Sequence, residues 1–124
     1  MSVLNRSVVI IRVKQPYVDW ANSIPDEGEE TNTAYLEEMR SDSTVFLLPD
    51  LFTNIEAINH IEKIYKQIFE YKLYSWCPSK KYWPKDITWN KFIEWFDLEF
   101  HTEVIDTTAG PIDLDPTPVS FILE

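Results

Sequence analysis

The first sustained apolar run of the chain is Val8-Val9-Ile10-Ile11, continued by Arg12 and Val13. Its β-branched content and short length predict a strand over Ser7–Lys14, buried on at least one face. Pro16 suits the first turn of a helix, where its missing N–H has no partner to lose, so a short helix is expected over Pro16–Ser23. Tyr17 and Trp20, three residues apart, would face the sheet together. Residues 24–32 combine Pro25 and Gly28 with Asp26, Glu27, Glu29 and Glu30, the pattern of an exposed acidic loop. Tyr35, Leu36 and Met39 at helical spacing predict two helical turns over Thr33–Arg40, with Thr33 as the cap. Thr44–Leu48 then reads as a second strand ended by Pro49.

Thr53-Asn54-Ile55-Glu56 matches a capping box and predicts the start of a long helix. Along it Ile55, Ile58, Ile61, Tyr65, Ile68, Phe69 and Leu73 form an apolar stripe, while Glu62, Lys63 and Lys66 stay in water. Pro78 and Pro84 bracket an irregular connection. Thr88 is placed to cap a further helix whose Trp89, Phe92, Ile93 and Phe96 share a face. Beyond Phe96 the period changes to two, with Phe100, Thr102 and Val104 on one side and Glu99, His101 and Glu103 on the other. A third strand is the expectation there, with continuation of the helix through Phe100 as the alternative. Gly110, Pro111, Pro116 and Pro118 interrupt regular structure until Val119–Leu123, which suits an edge strand or a docked tail.

This order predicts one α+β domain over residues 1–124, with 106–124 as an extended tail or edge strand. The architecture would be a two-layer sandwich, a small mainly antiparallel sheet of three to four strands with helices on one face. At 44% hydrophobic and 15% aromatic residues, 124 residues hold enough apolar material for one core. The run at Val8–Ile11 is too short to span a membrane and lacks the flanks of a secretory signal. A single cysteine, Cys77, cannot make an internal disulfide, which fits a reduced, cytoplasmic setting.

Charge narrows the partners. Twenty-one acidic residues against 11 basic ones give −10, which disfavours nucleic acid and anionic membranes. The basic residues after Arg40 all fall between Lys63 and Lys91, in a zone also rich in aromatics, while acid dominates Asp26–Asp42 and the segment after Lys91. Opposed charged regions of this kind favour a protein partner or self-association.

Candidate chemistry is sparse. Glu99, His101 and Glu103 alternate along one strand face and are residue types that bind divalent cations, although the plainer reading is the polar side of a half-buried strand. His60 has no His or Cys at helical spacing. Cys77, between Trp76 and Pro78, has no neighbouring base to activate it. With only Gly28 and Gly110, a glycine-rich phosphate loop is excluded, and no cofactor is implied. Asp19-Trp20 and Tyr82-Trp83-Pro84-Lys85-Asp86 place aromatics in irregular segments, either as a core corner with its indole N–H groups bonded or as a binding surface.

Asn5-Arg6-Ser7, Gln15-Pro16-Tyr17-Val18-Asp19-Trp20, Trp83-Pro84 and Trp95-Phe96-Asp97-Leu98-Glu99-Phe100-His101 together resemble an uncharacterised family of small bacterial cytosolic proteins. The resemblance runs from about Asn5 to Asp106 and implies a bacterial origin and a shared fold. It implies no activity and no catalytic residue, and it draws attention to Asp19, Trp20, Trp83, Asp97 and His101 as binding candidates.

The leading functional expectation is therefore a non-enzymatic protein-interaction or adaptor domain, self-associating or bound to another protein. One alternative is a small metal-assisted hydrolase using His101 with Glu99, Glu103 or Asp97. A second is an acidic decoy or immunity-type inhibitor of a basic protein, which would use the −10 charge directly.

Overall fold

The computed structural model describes residues 1–25 and 33–114. Most of the expected acidic loop, and the expected edge strand Val119–Leu123, lie outside the described residues. In chain order the elements are β1 (Ser2–Val3), β2 (Ser7–Val13), α1 (Gln15–Ser23), α2 (Leu36–Ser41), β3 (Thr44–Leu48), α3 (Asn54–Trp76), α4 (Trp89–Trp95), β4 (Phe96–His101) and β5 (Ile105–Asp106), with a 3₁₀ turn at Lys80–Tyr82 between α3 and α4. The fold is α+β, as the pattern of periods predicts.

β2 is the centre of a three-stranded antiparallel sheet of order β3-β2-β4. Side-chain alternation sends Ser7, Val9, Ile11 and Val13 inward and Val8, Ile10 and Arg12 outward. The paired positions follow: Phe46 lies beside Val9, and Phe96 beside Val13, on the inner face. Against that face pack Tyr17, Val18, Trp20 and Ala21 of α1, Ile61, Ile68, Phe69 and Leu73 of α3, and Phe92 of α4, in one core cluster. Phe69 and Phe92 are fully buried. Phe69 meets Phe96 edge-on at 5.2 Å and Trp95 at 5.3 Å, the tilted geometry that ring quadrupoles favour. Ser7 is buried too, and its hydroxyl donates to the Pro49 carbonyl at 2.7 Å.

Thr53 caps α3: its Oγ1 accepts from the Glu56 N–H at 3.1 Å and also lies 3.0 Å from Glu56 Oε1. Thr88 caps α4 in the same way, accepting from the Lys91 N–H at 3.2 Å. In four places the chain departs from its local pattern. Thr33 is not a cap; α2 begins at Leu36, three residues later than expected, with Tyr35 as N-cap. The cause is Asn22, whose side chain pairs with both main-chain groups of Ala34 (3.0 and 2.7 Å) and holds that segment extended against α1. Ile55 and Ile58 are exposed while Ala57 is buried, because α3 turns its Ala57 and Ile61 side to the interior and the Ile55 and Ile58 side to water. Ile93 is exposed as well, and Trp95 takes its place against Tyr17, Trp20 and Phe69. Finally, the third strand starts at Phe96 directly from α4 and stops at His101, leaving Thr102 and Glu103 outside it. Val104 instead accepts from the Leu4 N–H (2.8 Å), next to the short antiparallel pair of β1 with β5.

Candidate functional site

The aromatic corner is built by α1, the end of α3 and the 3₁₀ turn. Trp20 Nε1–H donates to the Tyr82 carbonyl (2.9 Å), Trp76 Nε1–H to Ala21 (3.1 Å) and Trp83 Nε1–H to Cys77 (2.8 Å). Each of these three indoles therefore gives its one donor to the main chain, which stitches three segments together and leaves none of the three N–H groups for a ligand. Trp20 and Cys77 are core residues and Trp83 packs against them. Lys80 and Lys81 lie over the rings of Trp83 and Tyr82 at 5.8 and 4.9 Å. Deeper in, burial pushes the Tyr17 hydroxyl up to about 12, against a small opposing effect of Ser75. That hydroxyl donates to the Lys72 carbonyl at 2.5 Å.

Asp97, Glu99 and His101 stand elsewhere, on the outer face of β4. Arg12, across the sheet on β2, reaches Glu99 Oε1 at 2.9 Å, and His101 Nε2 lies 2.8 Å from Glu99 Oε2. The hydrogen bond with His101 holds the Glu99 carboxyl below its ordinary range, and the charge of Arg12 acts the same way. Arg40 of α2 bonds Asp97 Oδ2 and the Val13 carbonyl with one Nη, both at 2.9 Å. Both oxygens of Glu99 are thus engaged, and Glu103 lies beyond the strand. Among the described residues no group of three or more His, Cys, Asp or Glu is arranged to hold a metal ion. His60 is a half-buried residue of α3 with no His or Cys at helical spacing.

Asp19 is exposed on α1, where it accepts from Gln15 Nε2 at 2.8 Å. The five binding candidates therefore do not converge: Trp20 and Trp83 belong to the core layer, Asp97 and His101 to the opposite face of the sheet, and Asp19 to the outside of α1.

What sequence patterning missed is the other half of that outer face. Val45 and Leu47 of β3 point outward and are 55% and 57% exposed. They lie beside Ile10 and Val8 of β2, next to the Arg12, Asp97, Glu99 and His101 row. The four apolar residues that follow Thr44 in β3 resemble a strand buried on both faces, so their composition carried no sign of exposure. An open cleft of about 590 Å³ at the end of β3 is lined by Asn5, Arg6, Leu47, Leu48, Pro49 and Asp50. On the helical side Lys72 ties α3 to the same strand through Thr44 Oγ1 (2.9 Å), and burial pulls its ammonium below the usual lysine value. No helix among the described residues is long and apolar enough to cross a membrane. Comparison of the chain with family models, with curated proteins and with solved structures finds no match.

Proposed function

We propose that the protein is a non-enzymatic interaction domain that binds another protein chain through the outer face of its sheet, where no helix of the described residues packs. One observation carries the reading: Val45 and Leu47 stand exposed beside a charged row that is already internally paired. Exposed aliphatic side chains rimmed by polar groups are the usual composition of a protein contact. The bonded indoles and the scattered polar candidates supply no constellation for catalysis, and a paired Arg12–Glu99–His101 row can give a partner register and charge specificity.

Light scattering on the eluting full chain, combined with capture experiments on the immobilised chain at several salt concentrations, tests this. Binding of a protein partner or of a second copy, reduced by Leu47→Glu, is the expected result. A strict monomer that retains no protein under any of these conditions overturns it.

A further inference from the structure

We draw no further inference here: the strongest candidate, the uncharged edge strand β3 with Val45 and Leu47 exposed on the outer face of the sheet, belongs to the surface already described, and nothing among the described residues shows what covers it.

Discussion

Tyr17 gives a prediction whose sign changes with pH. Its ring is almost fully buried, 3% exposed, between Trp20, Trp95 and Phe96, and its hydroxyl donates to the Lys72 carbonyl. Replacing it by Phe keeps the packing and removes one hydrogen bond. The Lys72 carbonyl still accepts from Ser75 Oγ at 2.8 Å, so Tyr17→Phe should cost only about 1 kcal/mol near pH 8. Burial raises the hydroxyl from 10.0 to about 12. A folded value above the unfolded one means that the folded state holds the proton longer. The associated stability is complete below pH 10 and disappears as pH rises through about 12. From the difference between the two values, wild type loses about 1.4 kcal/mol by pH 11 and approaches about 2.7 kcal/mol at higher pH. Tyr17→Phe has no such group and loses none of this, and every other titrating residue cancels between the two proteins. The stability gap should close by about pH 11 and then invert. Urea unfolding at about pH 8, 10 and 11 reads it directly. A gap that stays constant across that range would refute the assignment of a buried, neutral Tyr17 hydroxyl.

Further expectations concern the outer face and the α3 cap. Because the folded Glu99 carboxyl lies below its ordinary value of 4.5, its contribution is present above that value and is lost as pH falls through the folded one. Glu99→Gln should therefore flatten the acid limb of the melting temperature below pH 4.5, and superimposable limbs would contradict the Arg12–Glu99–His101 row. Thr53→Ala removes the acceptor of the Glu56 N–H and should destabilise by about 1 kcal/mol in urea unfolding, with Thr53→Ser restoring most of it. An unchanged midpoint would show that the cap adds nothing. With Glu99 occupied by Arg12 and His101, excess Zn²⁺ should raise the melting temperature of wild type no more than that of His101→Ala. A rise of several degrees confined to wild type would reinstate a metal site.

The comparison of pattern with structure is most instructive on α3 and β3. On α3 the Thr53 cap and the buried Ile61, Ile68, Phe69 and Leu73 were legible, because capping and helical period are local properties of a few neighbouring residues. The exposure of Ile55 and Ile58 was not, because it depends on which side of α3 meets the interior, Ala57 and Ile61 rather than their own. Trp20 and Trp83 stood out in the sequence as a pair of aromatics; only the structure shows their N–H groups satisfied by Tyr82 and Cys77, contacts 62 and 6 residues away in the chain. The row of Arg12, Glu99 and His101 had one visible sign, a lone arginine inside an apolar strand, but its partners lie more than eighty positions along the chain.

By itself, the sequence determined the α+β class, the start of β2, the bounds of β3, the start of the long helix and the acidic balance, since strand period, caps, proline and charge act over a few residues. Tertiary structure alone decided that, among the described residues, β2 is central and β3 an edge, that β1 closes on β5, and that the five binding candidates do not gather at one site. It also decided that two aliphatic residues of a strand without charge face outward. Strand order is a contest between distant segments for the same main-chain bonds, and its outcome sets which apolar groups the helices cover. For this chain they cover the inner face alone.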